Sequence, residues 1–213
     1  PGAEERLKVF EGCDLSVKGS FDAAFAGCEG VVHTAAKVEI SQNPEVIRAS
    51  VEGVENVLSS LPSRETKFVH TSSIAAIQTY DKPSDYVFSE EDWNDWSRAD
   101  MDAYGYAKTK ADLSSYVAVN PSIVIGPVMN KQHTKSSAIF LRNIIYGNKV
   151  LNMPSNFVDV RDVATAHVQA LERIDQIQGP KRFILTSDAP CANSTDLANR
   201  ASRVLPDYKF SAP

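Results

Sequence analysis

Three cysteines in 213 residues, Cys13, Cys28 and Cys191, are too few and too scattered for a disulfide framework, and they lack the paired spacing of a zinc site. They read as reduced thiols. No apolar run reaches the roughly 20 residues that a membrane helix needs, and the first residues carry no basic stretch followed by an apolar one and a cleavage site. A cytoplasmic protein with no membrane partner is therefore expected. Positive charge is also short: 22 Lys and Arg stand against 27 Asp and Glu, a net charge of −5. Neutralising phosphates needs the opposite balance, so nucleic acid is not an expected partner. The four histidines, His33, His70, His133 and His167, include no pair at metal-ligand spacing with a carboxylate, so no metal site is expected. Internal repeats and low-complexity segments are absent as well.

What is present is the profile of one globular domain, or one domain with a small appendage: 43% hydrophobic and 23% charged residues. Short β-rich runs alternate with longer helical ones, the sign of an α/β protein built on a parallel sheet. The stretch 7–12, "LKVFEG", predicts a strand, 20–27 a short helix stopped by Gly27, and 30–36, "GVVHTAA", the next strand. A helix over 43–61 has Asn43 as its N-cap and Pro44 at its first position, where a missing N–H costs nothing. A strand over 67–73, "KFVHTSS", runs into small hydroxyl residues. The stretch 76–102 has no clean period and predicts a long loop, with Trp93 and Trp96 either capping a substrate pocket or packing it down. Further on come a strand over 116–127, a helix over 136–147, a helix over 158–172, a strand over 182–187 and a helix over 194–204. Asp159 and Asp162 resemble a capping box.

The segment "DAYGYAKTKAD" (102–112) pairs Tyr with Lys at a spacing of four twice, as Tyr104 with Lys108 and Tyr106 with Lys110. Residues four apart share a helix face, so a phenol and an ammonium can meet there. A phenol is a poor acid or base at neutral pH, and a neighbouring positive charge favours its phenolate. Such a Tyr can exchange a proton with a carbonyl or alcohol oxygen while hydride moves at the carbon. Spacing alone does not separate either pair from a solvated helix face. The surroundings do more: both flanking strands, ending in "HTSS" and "NPSIVIGP", would open on the carboxyl edge of a parallel sheet, where such folds bind ligands. A hydroxyl from Ser72 or Ser73 could then hydrogen-bond the substrate oxygen.

The pieces "CDL", "VVHTAA", "GVENVL", "FVHTSS", "YGYAKTKAD", "VNPSIVIGP" and "FVDVRDVATAH" together resemble the extended short-chain dehydrogenase/reductases of the NAD-dependent epimerase/dehydratase superfamily. Within them the likeness is to the dihydroflavonol reductases and yeast-type aldehyde and ketone reductases, and it covers nearly the whole chain. The resemblance implies a Rossmann-type doubly wound parallel sheet with a small C-terminal substrate-binding region. It implies an NADP-dependent (or NAD-dependent) oxidoreductase that moves hydride between cofactor and a small carbonyl or alcohol substrate, as a monomer or homodimer. Because Lys108 is followed by Ala111 and Asp112 in the family pattern, it picks Tyr104 and Lys108 as the catalytic pair, with Ser73 as the third member. Lys108 would lower the pKa of Tyr104 and hold the nicotinamide ribose. Asp14 and Leu15 would border the adenine, Thr34, Ala35, Ala36 and Thr71 would line the dinucleotide, Pro121 and Val124 would border the nicotinamide, and Ser136 would lie near the phosphates or ribose.

Two departures accompany the likeness. Family members open with a strand, a glycine-rich turn and a helix that holds the pyrophosphate, and these 213 residues contain no such turn. The crossover from Tyr104 to Asn120 is also about a dozen residues short of the family's. The chain is therefore expected to be a fragment, or the ordered part, of a longer polypeptide. Residues 1–125 are expected to form a partial dinucleotide-binding domain and 126–213 mainly a substrate-binding region, with 157–172 returning to the Rossmann core. Two rivals stand beside the reductase. One is a nucleotide-sugar epimerase or dehydratase, for which Lys131, Lys135, Arg142 and Lys149 could bind a diphosphate. The other is a non-catalytic binding or regulatory protein that keeps the fold.

Overall fold

The computed structural model describes residues 2–36, 44–113, 117–129, 137–145, 154–208 and 210. The expected cap Asn43, the site residue Ser136, His133, Lys131, Lys135 and Lys149 lie outside the described residues. In chain order the elements are α1 (Ala3–Arg6), α2 (Asp22–Phe25), β1 (Gly30–His33), α3 (Pro44–Ser59), β2 (Lys67–Thr71) and a 3₁₀ turn at Ile74–Ala76. Then follow α4 (Ala103–Leu113), β3 (Val117–Pro121), β4 (Ile123–Ile125), α5 (Ala138–Ile145), β5 (Phe157–Asp159), α6 (Val160–Glu172), a second 3₁₀ turn at Ile174–Gln176, β6 (Lys181–Leu185) and α7 (Ser194–Val204).

Four strands, in the order β1-β2-β3-β6, form one all-parallel sheet, and β4 and β5 form a separate parallel pair. Parallel neighbours need crossovers, and the helices that make them cover both faces of the sheet. Alternation along β2 sorts the two cores. Phe68 packs with Val31 and with Val57 of α3 on one face, whereas Val69 joins Val117, Val119 and Ile174 on the other, against Ala170 and Leu171 of α6. The same alternation sends His33, His70 and Asn120 toward α3 and α4, and Thr71 toward α6. Because the ladder is in register, with His33 opposite His70 and Thr71 opposite Val119, the carboxyl ends of β1, β2 and β3 open on one edge. No helix among the described residues is long and apolar enough to cross a membrane.

Three sequence expectations need correction. Residues 7–12 form no strand: Leu7 and Val9 are 69% and 77% exposed, with no ladder partner to satisfy their backbone. The single strand over 116–127 is two, because the chain leaves the main sheet after Pro121 and Ile123 pairs with Phe157 of β5. The break falls at Asn120, Pro121 and Ser122, where a proline inside the run already argues against one central strand. Asp159 does cap α6, accepting from Arg161 N, but its carboxylate also grips the Arg161 guanidinium at 2.7 and 2.9 Å, and Asp162 does not complete a box. The reciprocal capping box is formed instead by Asn193 and Asp196 at the start of α7.

Candidate active site

Helix α4 begins where Asp102 can cap it: Oδ1 accepts from Gly105 N at 3.1 Å and Oδ2 accepts from Ser97 Oγ. The first turn thereby binds the long loop, whose Asn94 amide donates to Ala75 O and to Ser97 Oγ, both at 2.7 Å. One face of α4 carries Ala103, Ala107 and Ala111, all buried, so small side chains let the helix lie close to its neighbours. That docking separates the two Tyr and Lys pairs. Lys108 is buried and Tyr104 half-buried at the sheet edge, whereas Lys110 is exposed, its ammonium 5.4 Å from the Tyr106 ring.

Lys108 Nζ donates to the Thr71 carbonyl at 3.2 Å and lies 5.9 Å from the Tyr104 ring centroid. Burial lowers its pKa from 10.5 to about 8, with Asp112 pulling the other way. Tyr104 is shifted upward, first by burial and further by the Asp102 charge, while hydrogen bonding with the Ser73 side chain opposes the shift. The expected lowering of Tyr104 by Lys108 is thus not seen. The ammonium is turned toward the end of β2, and desolvation of the phenol dominates. Ser73 stands as the N-cap of the first 3₁₀ turn, its Oγ accepting from Ala75 N at 3.2 Å, which leaves its own proton free to donate. Ser72 is buried beneath it, so of the two hydroxyls Ser73 faces Tyr104.

A narrow cleft of about 20 Å³ collects residues from five parts of the chain. Of the residues expected at the cofactor, Leu15, Ala35, Ala36, Tyr104 and Lys108 line it. Leu15 is held there by Asn56 Nδ2, which donates to its carbonyl at 2.8 Å. Thr71 reaches the site through its carbonyl, its Oγ1 being paired with His167 Nε2 at 2.7 Å. The others do not line this cleft. Thr34 is exposed beside it, and the Asp14 carboxylate closes a local turn by accepting from Ser16 N and Oγ. Pro121 ends β3 and Val124 lies on β4.

Five lining residues were not among those expected: Val54, Ala107, Ala111, His33 and His70. His33 and His70 face it from adjacent strands, their rings stacked with centroids 5.4 Å apart. Burial, with Lys108 adding repulsion, holds His33 at about 4 and His70 at about 2, so both are neutral. Period-two alternation from the buried Val31 and Phe68 would have placed both rings on the inner face. Trp93 and Trp96 serve packing: Trp93 lies 3.6 Å from the Arg182 guanidinium, and Trp96 meets Tyr80 edge to face.

This arrangement, a hydroxyl, a phenol and an ammonium at the carboxyl edge of a parallel sheet beside a cleft, suits a nucleotide-dependent enzyme of the Rossmann type. The chain belongs to the NAD dependent epimerase/dehydratase family, which it matches over residues 1–185. It is 30% identical to tetraketide alpha-pyrone reductase 2 of Arabidopsis thaliana, over 98% of this chain and 70% of that protein. It is 35% identical to cinnamoyl-CoA reductase CAD2 of Medicago truncatula, over 80% of this chain and 58% of that protein. Among solved structures, Gre2 of Candida albicans in complex with NADPH superimposes with a TM-score of 0.80 at 26% identity, over 94% of this chain and 69% of that one. The chain thus spans 58–70% of the length of these relatives.

Proposed function

We propose that this chain carries the catalytic face of an NADPH-dependent reductase acting on an aldehyde or ketone, with Ser73, Tyr104 and Lys108 as its working residues. The observation that carries the reading is the convergence of Leu15, Ala35, Ala36, Tyr104 and Lys108 on one cleft. Lys108 fits a cofactor there: it is buried, and among the described residues one carbonyl, that of Thr71, takes a hydrogen bond from it. An ammonium has three donors, so two are available to the hydroxyls of a ribose. Ala35 and Ala36 are small and exposed at the mouth of the cleft, so a flat group can lie against them. Relatives named as reductases, and a neighbour solved with NADPH, support the same reading.

Bound NADPH would supply hydride to the carbonyl carbon. Tyr104 Oη gives its proton to the carbonyl oxygen as that oxygen gains charge, and Ser73 Oγ donates a hydrogen bond to the same oxygen. The raised pKa of Tyr104 keeps the phenol protonated before reaction. Lys108 offsets the charge left on Tyr104 and holds the ribose. Residues 1–125 then form the dinucleotide side, and the loop 76–102 with the segment 126–155 selects the substrate.

Tyr104→Phe tests the assignment in the full-length protein. NADPH oxidation with a panel of aliphatic and aromatic aldehydes is expected to fall about a thousandfold or more, while NADPH binding stays near its original strength. Turnover close to the original would reject it and favour a binding protein that keeps the fold.

A further inference from the structure

Behind the candidate active site runs a chain of buried polar groups to which the proposed reaction assigns no part. Asn120 on β3, fully buried, uses both N–H bonds of its amide: one to the Ser73 carbonyl at 3.0 Å and one to Asp112 Oδ2 at 2.9 Å. Asp112, 3% exposed on α4, forms an ion pair with Arg182 Nη1 at 3.8 Å. Arg182, 9% exposed on β6, turns to the long loop: Nη2 bonds the carbonyls of Glu90 and Asp92, and Nη1 reaches that of Ala76 at 3.5 Å. The Trp93 ring stacks on its guanidinium, and Glu90 Oε1 accepts from Ile184 N at 3.1 Å.

We propose that Arg182, Asp112 and Asn120 form a positioning strut, which ties residues 90–93 of the long loop to the backbone of Ser73, so that seating of the loop sets the Ser73 hydroxyl. A buried ion pair is a weak source of stability, since apolar residues of similar volume often serve as well. What it supplies is one defined arrangement, because a fork of planar donors accepts few geometries. At the loop end the fork counts three carbonyls; a loop displaced from its seat leaves the guanidinium with the Asp112 carboxylate alone. At the other end the Ser73 carbonyl accepts from both Asn120 and Ala76 N, and the Ser73 hydroxyl accepts from Ala75 N. Loop seating and serine orientation are thereby the two ends of one hydrogen-bonded object.

The inference rests on the reading of Ser73 as a site residue, and its test separates the two. Trp93→Ala removes the ring that covers the Arg182 guanidinium while leaving every hydrogen-bonding group of the strut in place, and Arg182→Lys keeps the charge but loses the fork. Amide hydrogen exchange is followed at Ala75 and Ala76, whose N–H groups report on the Ser73 hydroxyl and carbonyl, in the full-length protein with NADPH added. Both variants are expected to exchange at these amides about tenfold faster, and to lower kcat for aldehyde reduction with the KM for NADPH nearly unchanged. Faster exchange confined to residues 89–94, with Ala75 and Ala76 unaltered, overturns the strut. If the unsubstituted protein oxidises no NADPH with any aldehyde, the reductase reading fails, and the exchange measurement still decides the coupling.

Discussion

Gly105 and Asp102 stand so close that a methyl group does not fit between them: a Cβ on Gly105 would lie 2.2 Å from Asp102 Oδ2 and 2.8 Å from both Asn94 Nδ2 and Ser97 Oγ. The loop and the helix that carries Tyr104 therefore meet at a point only glycine allows. Gly105→Ala is expected to destabilise the fold by about 1–3 kcal/mol, the usual cost of overpacking. Urea unfolding measures it, and an unchanged midpoint would show that the loop can retreat freely.

In the proposed reaction Lys108 would give activity a pH limb. Its folded pKa of about 8 lies below the 10.5 of a free lysine, so its ammonium is lost well within the accessible range. Above about pH 8 the hold on ribose and the compensation of the Tyr104 charge weaken together, and kcat/KM for reduction should drop about tenfold per pH unit at the alkaline end. A profile flat to pH 9.5 would exclude Lys108 from the reaction.

The stacked histidines make the fold acid-labile. Both are neutral when folded, with values of about 4 for His33 and about 2 for His70, and both return toward 6.5 on unfolding. Between those values the unfolded chain binds more protons, so stability is complete above pH 6.5 and is lost as pH falls toward the folded values. From pH 7 to pH 5 each histidine should remove about 2 kcal/mol of stability. His70→Leu, by deleting one of the two, should flatten the dependence of the urea midpoint on pH. An equal loss in that variant would assign the acid lability elsewhere.

Ala35 tests the cofactor cleft itself. Its Cβ is all the side chain that a flat ligand must clear, and Ala35→Trp fills the space without burying charge. Fluorescence titration should give an NADPH Kd raised about tenfold or more. Unchanged affinity would move the nucleotide away from this cleft.

Much of this was legible in the residues because each strand carries its own alternation. "GVVH" and "KFVHT" declare two buried faces, and "YGYAKTKAD" declares a helix with a small-residue seam. What the sequence hid were relations between distant positions. Spacing could not choose between the pairs Tyr104–Lys108 and Tyr106–Lys110, because the choice depends on which side of the seam meets the sheet edge. The break at Ser122 was signalled by Asn120 and Pro121, but the apolar residues on both sides masked it, and the pairing with β5 that completes it could not be read. Nothing in the sequence singled out Arg182, because its partners are set 70 to 106 residues away by the register of β6 on β3. "LKVFEG" misled for the converse reason: it has strand propensity, but propensity does not supply a neighbour.

The outer edge of β1 has a consequence for handling the protein. Among the described residues β1 pairs only with β2, and Val32 on that strand is 37% exposed. A row of unsatisfied backbone groups beside an apolar side chain is a template for any extended segment in reach, from the same polypeptide or from a neighbour. The 213 residues in isolation would thus be sticky in proportion to their concentration, and dilution would be the first remedy for turbidity.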